Sequence, residues 1–237
     1  MKNIIRYFKL LKFGLQARTM IILSLFFLAL GIFYEMIDFN SNGLIPFSGL
    51  YLGISGMYIY QVVITSSVSA LVQVSPFKKK LQCGVPAAFT AVCICITFTI
   101  FVVLRLTVGM PRALNENPAA DTTIFYIHIM TTAIMLAFIF LYFSFSYRYY
   151  VVATIILCIA LFPALLIFMR ADFPVEEAII SALTKVVNTV GGAGAIALSY
   201  LIILAGAFVC YLFNLLLYRK PLSCIAFRSA LRQAQAK

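Results

Sequence analysis

Six apolar segments follow one another along the chain and constrain its fold more than any other feature. Each is long enough to cross a bilayer as a helix, since a hydrocarbon core about 30 Å thick requires roughly 20 helical residues. Within that core, helices are favoured because they satisfy their own backbone hydrogen bonds. The chain is therefore predicted to be an all-α integral membrane protein with six transmembrane helices. They cover approximately residues 19–37, 50–74, 86–107, 122–145, 150–169 and 191–218.

Charged residues segregate between the two sides of these segments. Fourteen of the 18 lysines and arginines lie on the side that holds both chain ends, whereas all seven carboxylates lie on the opposite side. Basic loops are retained in the cytoplasm, so both termini are predicted to be cytoplasmic. The net charge of +11 is thereby explained by membrane topology, and no nucleic-acid partner is expected.

Shorter segments flank the six spans. Residues 1–18 repeat basic and apolar side chains at helical spacing, which is typical of an amphipathic helix lying among lipid headgroups. Residues 174–190 begin with carboxylates and keep their apolar side chains on one side, which predicts an outer amphipathic helix before the sixth span. The predicted organisation is an interfacial helix at 1–18, a six-helix transmembrane domain at 19–218 and a basic cytoplasmic tail at 219–237.

The second span carries a stripe of polar side chains at steps of three or four residues, which places them on one face of a helix. Polar groups facing lipid are costly, so the stripe is expected to face another helix, a second subunit or a water-filled path. Hydroxyl and amide side chains also join helices without lining any path, and this alternative remains open. The stripe comprises Tyr58, Gln61, Thr65, Ser69 and Gln73.

A short elbow separates the second span from the third and faces the cytoplasm in this topology. Ser75, Pro76 and Phe77 break the apolar run, and three lysines follow them. The lysines serve either as a topological anchor alone or as part of a place where a cytoplasmic protein docks. The elbow comprises Ser75, Pro76, Phe77, Lys78, Lys79 and Lys80.

Few side chains are placed for catalysis or ion coupling. His128, the only histidine, has no carboxylate or cysteine partner that the sequence identifies, and it is expected to be a hydrogen-bonded interfacial residue. Arg105 lies at the outer end of the third span, where its stem is expected to reach the headgroups. Every carboxylate lies in a loop or at a span end, so no acid or base is expected to be buried in mid-span. The chain is not expected to be an enzyme.

Cofactor-binding patterns are also missing from the sequence. Cys93 and Cys95 point to different faces of a helix and have no nearby histidine, so no metal site is expected. The glycine-rich run at 191–195 is preceded by no predicted strand and followed by no Gly-Lys-Ser or Gly-Lys-Thr, which excludes a nucleotide loop. Any uphill transport must therefore draw its energy from a partner.

In its layout the chain resembles the permease subunits of type 2 ABC exporters. The shared features are a basic surface helix, six spans, a cytoplasmic elbow after the second span and an outer helix before the sixth. They cover nearly the whole chain. The local sequence Val74-Ser75-Pro76-Phe77, followed by three lysines, adds to the likeness. The resemblance implies the membrane subunit of an ATP-driven exporter in a bacterial plasma membrane. The substrate would be an amphipathic or hydrophobic peptide, drug or lipid.

The resemblance also implies partners and site residues. The elbow would be a coupling helix that fits a groove of a separate cytoplasmic ATPase, with Ser75 as its cap and Pro76 in its first turn. That ATPase would bind ATP and Mg²⁺, so no cofactor is expected in this chain. A second permease chain, identical or different, would complete a path lined largely by the second and fifth spans. A non-transporting scaffold, immunity or sensor subunit is the alternative. The residues assigned to the path or dimer seam are Tyr58, Gln61, Thr65, Ser69 and Pro163, which is expected to kink the fifth span.

Overall fold

The structure is a computed structural model in which part of the chain is described. The described residues are 17–37, 44–67, 72, 74–116, 118, 121–169, 174–221 and 223, and at 66–67, 160–169 and 174–176 the backbone alone is described. Ser69, most of the predicted interfacial helix and most of the predicted tail lie outside the described residues.

Helices account for the architecture of the described residues, which contain no strand. They are α1 (Ala17–Ile37), α2 (Phe47–Ser67), α3 (Lys80–Glu116), α4 (Thr123–Ser146), α5 (Tyr150–Met169) and α6 (Pro174–Leu216). Five of them are long and apolar enough to cross a membrane, and α5 has a comparable length of 20 residues. The prediction of an all-α chain is confirmed, with five to six helices of spanning length.

The third helix is longer than predicted. It has 37 residues, or about 55 Å, and it passes through Pro86 instead of starting there. A π turn at Lys80–Gly84 comes just before the proline, closed by a hydrogen bond from the Val85 N–H to the Lys80 carbonyl. Because proline has no N–H to donate, this wider turn lets the helix continue past it. The predicted separate coupling helix is not found in the described residues, where a turn at 74–77 leads directly into the helix that becomes α3.

One glycine breaks α6 into two helical parts. Gly191 has φ 74° and ψ 169°, a backbone conformation that is essentially restricted to glycine. In the part before it, Val187 is buried in a cluster with Leu44, whereas Lys185 on the other side is exposed. An amphipathic helix therefore leads, through the break, into the long apolar part that follows.

The centre of the bundle is the contact between α4 and α6. Phe140 of α4 and Ile203 of α6 are completely buried in one core cluster. The two helices approach closely at Gly206, where a Cβ atom would lie 2.9 Å from the Cα of Ala137. Small residues at such a crossing are typical of helices packed in membranes.

The bundle has two ends of different chemistry. The Glu35 end holds the end of α1, the start of α2 and the start of α4, and is defined by contacts among Glu35, Ser48, Arg105 and His128. The lysine end holds the start of α1, the elbow and the end of α4, and is defined by contacts among Tyr60, Cys83, Tyr147 and Asn214.

The described charges divide between these two ends. Every described carboxylate belongs to the Glu35 end, together with Arg105, Arg112 and Lys185. This separation is the one on which the predicted membrane orientation depends. The remaining described basic residues lie at the lysine end: Arg18, Lys78, Lys79, Lys80, Arg148, Arg219 and Lys220.

Candidate functional site

Four polar residues from four helices meet inside the Glu35 end. Glu35 lies two residues before the end of α1, and Ser48 is the second residue of α2. Arg105 opens a second π turn of α3, at Arg105–Gly109, and His128 lies in the second turn of α4. Single π turns inside helices occur frequently at functional sites.

Arg105 is the centre of this charged cluster. Its side chain is 0% exposed, and its Nη1 donates a hydrogen bond of 2.9 Å to Oε1 of Glu35. Its Nη2 contacts Nδ1 of His128, and the guanidinium lies 5.1 Å from the centroid of the Phe125 ring. The other carboxylate oxygen of Glu35 accepts a hydrogen bond of 2.5 Å from the Ser48 hydroxyl. Each charge therefore has a partner, which is the condition for keeping an ion pair buried.

A hydrogen bond between Arg105 and His128 is compatible with one protonation state of the imidazole. A guanidinium donates hydrogen bonds but does not accept them, and it stays charged in proteins. Nδ1 of His128 must therefore be the acceptor, which makes the imidazole neutral with its proton on Nε2. One carboxylate, one guanidinium and one neutral imidazole give the cluster no net charge.

Two polar atoms beside the cluster lack hydrogen-bond partners among the described residues. They are Nε of Arg105 and Oγ1 of Thr132, which is one turn along α4 from His128. The adjacent Thr131 hydroxyl is satisfied, donating to the Leu44 carbonyl at 2.8 Å. Unpaired buried polar atoms are costly and rare in native structures. This part of the bundle is therefore not optimised for stability alone.

The cluster corrects one prediction made from the sequence. The prediction that Arg105 reaches the headgroups is wrong, because its side chain is enclosed by the bundle. Glu35 is 1% exposed and His128 is 3% exposed, but both lie near the ends of their helices, so the prediction that no acid or base is buried in mid-span is not contradicted. These three are the only charged or histidine residues inside the six predicted spans, and all lie towards the same side of the membrane. Their position at the same side of the membrane is the sequence signal from which contacts among these three residues could be predicted.

The elbow is exposed at the lysine end. The Phe77 N–H donates a hydrogen bond of 3.2 Å to the Ser75 hydroxyl, so Ser75 caps a turn and not the predicted coupling helix. Phe77 is 66% exposed and Val74 is 82% exposed. Lys79 and Lys80 are also exposed. The turn thus presents apolar side chains next to positive charges.

Hydrogen bonds connect the helix that follows the elbow with the rest of the bundle. The Cys83 thiol donates to the Asn214 carbonyl at 3.3 Å, and the Asn214 amide donates to the Tyr60 hydroxyl at 3.1 Å. Tyr60 is completely buried and stacks on Phe143 with ring centroids 4.3 Å apart. α2, α3, α4 and α6 are therefore linked close to the elbow.

The described residues of the polar stripe make contacts within α2 and with α1. Thr65 is 8% exposed and donates to the carbonyls of Gln61 and Val62 at 2.8 and 3.0 Å. Tyr58 stacks on Phe27, with ring centroids 5.5 Å apart. The stripe therefore faces neighbouring protein along at least part of its length.

The side chain of Pro163 lies outside the described residues. α5 is helical through Pro163 and packs chiefly on α4. In the part of the chain that the structure describes, α5 has no extensive contact with α2.

Comparison of the chain with protein-family models, curated proteins and solved structures finds no match. The fold by itself defines the class, an all-helical protein with several helices long and apolar enough to span a membrane. Among the described residues, no group of three or more His, Cys, Asp or Glu is placed to hold a metal ion.

Proposed function

We propose that the chain is the membrane-spanning permease subunit of an ATP-driven ABC exporter. A separate cytoplasmic ATPase binds ATP and Mg²⁺ and carries out the hydrolysis, so this chain is not itself an enzyme. The substrate is an amphipathic or hydrophobic molecule, such as a peptide, drug or lipid, that leaves the cell through the plasma membrane. The single observation that carries this proposal is the capped, exposed elbow at the lysine end.

The elbow has the composition of a docking site for a soluble protein. Phe77 is a large apolar side chain that is mostly exposed, and Lys79 and Lys80 beside it are exposed as well. Aromatic anchors surrounded by charged rims are typical of protein interfaces. In the predicted orientation this end faces the cytoplasm. The partner surface would be an apolar pocket with an acidic rim.

Hydrogen bonds connect the chain just after the elbow to other helices of the bundle. Cys83 follows the last elbow lysine by three residues and is hydrogen-bonded to Asn214 of α6. Asn214 in turn holds Tyr60 of α2. A shift of the elbow on ATP binding would therefore act on α2, α3 and α6 together.

The proposal includes a second permease chain, identical or different. Ile155, Ile156 and Ile159 of α5 are between 51% and 67% exposed, which suits contact with lipid or with another chain. In this proposal the second chain completes a path lined largely by the second and fifth spans.

A non-transporting scaffold, immunity or sensor subunit is the second candidate. The hydroxyl of Thr65 is satisfied by carbonyls of its own helix, and Tyr58 is stacked against α1. Both observations favour a stripe that packs helices rather than one that lines a path. In this candidate, the elbow lysines are a topological anchor.

Purification tests the proposal by asking what accompanies the chain. The tagged full chain is extracted from its source membranes in mild detergent, and its companions are identified by mass spectrometry and assayed for ATP hydrolysis. Phe77→Ser combined with Lys79→Gln and Lys80→Gln is expected to lower ATPase recovery at least about tenfold, the effect of losing about 1.4 kcal/mol of binding free energy.

A matched control removes other exposed charges from the same end. Arg219→Gln with Lys220→Gln changes two basic residues outside the elbow and is expected to leave ATPase recovery unchanged. A folded chain that purifies without an ATPase would contradict the permease proposal and favour the scaffold. Equal losses in the elbow variant and the control would show a general effect of charge instead of docking.

A further inference from the structure

We propose that Glu35, Arg105 and His128 form a proton-binding site. A proton taken up by the His128 imidazole releases Arg105 and loosens the contacts among α1, α3 and α4 at the Glu35 end. This inference does not depend on the exporter proposal, because it concerns a different end of the bundle and a different ligand. It rests on the geometry of the buried cluster.

The chemistry of the step follows from the donor and acceptor roles in the cluster. In the closed arrangement Nδ1 of His128 accepts from Nη2 of Arg105. When a hydronium ion delivers its proton, an N–H bond forms at Nδ1 and water is left. The imidazolium then has two donors and no acceptor. Two cations face each other where one hydrogen bond existed before, so Arg105 cannot keep both of its partners.

The carboxylate of Glu35 provides the alternative arrangement. It already binds Arg105 through Oε1 and the Ser48 hydroxyl through Oε2. After proton uptake, this single buried carboxylate faces two positive charges. The Nε atom of Arg105 has no partner among the described residues even in the closed state. The guanidinium is therefore held chiefly by its contacts with Glu35 and His128. Protonation of His128 makes the imidazolium compete with Arg105 for the Glu35 carboxylate.

Each helix packed around His128 contributes its own charged or polar groups. α1 contributes Glu35 and α3 contributes Arg105, while α2 contributes the uncharged Ser48. Arg112, farther along α3, is exposed and donates to the Met36 carbonyl at 2.9 Å. In the first part of α6, Glu177 and Lys185 are exposed. Glu116 and Asp121 at the same end are exposed as well.

The cluster lies close enough to the bundle end for protons to arrive from the adjacent water. Glu35 is two residues from the end of α1. His128 is five residues from the start of α4, which corresponds to about 8 Å along the helix axis. A buried charge cluster at this depth needs only a small opening of the helix ends to become hydrated. Ionisable residues inside membrane helices are functional in most cases.

The chain is well suited to a direct test because it contains one histidine. Selective ¹⁵N-histidine labelling of the full chain, purified without a histidine tag and placed in lipid nanodiscs, gives the signals of one imidazole. At pH 7.5 we expect Nε2 to be protonated and Nδ1 unprotonated. On acidification to pH 5.5 we expect both nitrogens to become protonated.

Hydrogen exchange of the same samples reports whether the helices respond. The closed cluster admits no proton on Nδ1, so it is favoured at pH 7.5 and is weakened as the pH falls towards 5.5. Protection factors of amides near the ends of α1 and α4, corrected for intrinsic exchange, are expected to fall about tenfold between pH 7.5 and 5.5.

His128→Asn is the matched control. Asparagine supplies a carbonyl oxygen close to the position of Nδ1 and so preserves an acceptor for Arg105, but it does not titrate in this range. We expect its protection factors to match those of the native chain at pH 7.5 and to remain unchanged at pH 5.5. A variant that is already unprotected at pH 7.5 is replaced by His128→Gln, for which the same result is expected.

Three results would overturn the proposal. An imidazole that stays neutral at pH 5.5 would show that the cluster binds no proton in this range and stays closed. An imidazole that titrates without any change in protection would show that proton binding is not coupled to the helices. Equal loss of protection in the native chain and in the asparagine variant would assign the acid response to another group, such as Glu35.

Discussion

At the scale of single residues, Arg105 depends most strongly on its partners. A buried ion pair does not necessarily stabilise a protein, because desolvation offsets the attraction between the charges. Removing one partner is nevertheless severe, since the other charge then remains buried without compensation. The completely buried pair of Arg105 and Glu35, supported by Ser48 and Phe125, fits this description.

Arg105→Gln is therefore expected to lower the free energy of unfolding by about 3–5 kcal/mol at pH 7.5. Adding Glu35→Gln to the same chain should recover a large part of that loss, because the uncompensated carboxylate is removed. Equilibrium unfolding in mixed micelles measures both values. Arg112→Gln, which changes an exposed arginine, should cost less than about 0.5 kcal/mol. Equal effects at the two arginines would contradict the importance of the buried pair.

At the scale of helices, the two interruptions have different physical causes. Pro86 removes a backbone donor, and a π turn before it keeps α3 continuous. Gly191 adopts a backbone conformation that side chains exclude, and α6 breaks there. Pro86, which was predicted to start a helix, thus lies inside a continuous helix. The glycine run that was predicted to begin the sixth span does lie at a break.

Gly191→Ala is expected to destabilise the chain by about 1–3 kcal/mol through backbone strain alone. A Cβ at this position would have nothing within 4 Å, so steric contact does not contribute. Gly84→Ala is the control, because Gly84 has φ −82° and ψ −45°, and its Cβ would lie 3.6 Å from the Tyr211 ring. That variant should be about 0.5–1 kcal/mol more stable. Unfolding in mixed micelles gives both values, and loss of stability in both variants alike would exclude the strain argument.

At the scale of the whole molecule, the charge separation between the two ends predicts one orientation in the membrane. With the native cysteines replaced by serine, Lys79→Cys should react with a membrane-impermeant maleimide only after the cells are opened. Glu116→Cys at the other end should react in intact cells. Both residues are exposed, so access decides the outcome. The reverse pattern would place the elbow outside the cell and would exclude a cytoplasmic ATPase there.

Local patterns in the sequence determined the helices and the separation of charge. An apolar run of about 20 residues specifies a spanning helix without reference to any other segment. Ser75 caps its turn through the N–H of Phe77, two residues away, and such a contact can be predicted from neighbouring residues. The amphipathic part of α6 is likewise a property of one continuous stretch.

Only the tertiary structure decided which distant polar groups meet. Arg105 pairs with Glu35 across 70 residues and with His128 across 23, and no local pattern specifies either contact. A charged residue near a span end can reach towards the headgroups or turn into the bundle. Packing of α1, α3 and α4 determines the choice, because it encloses the Arg105 side chain and supplies its partners. The sequence by itself determined that the chain forms long apolar helices, and their packing determined that three of them share a buried charge cluster.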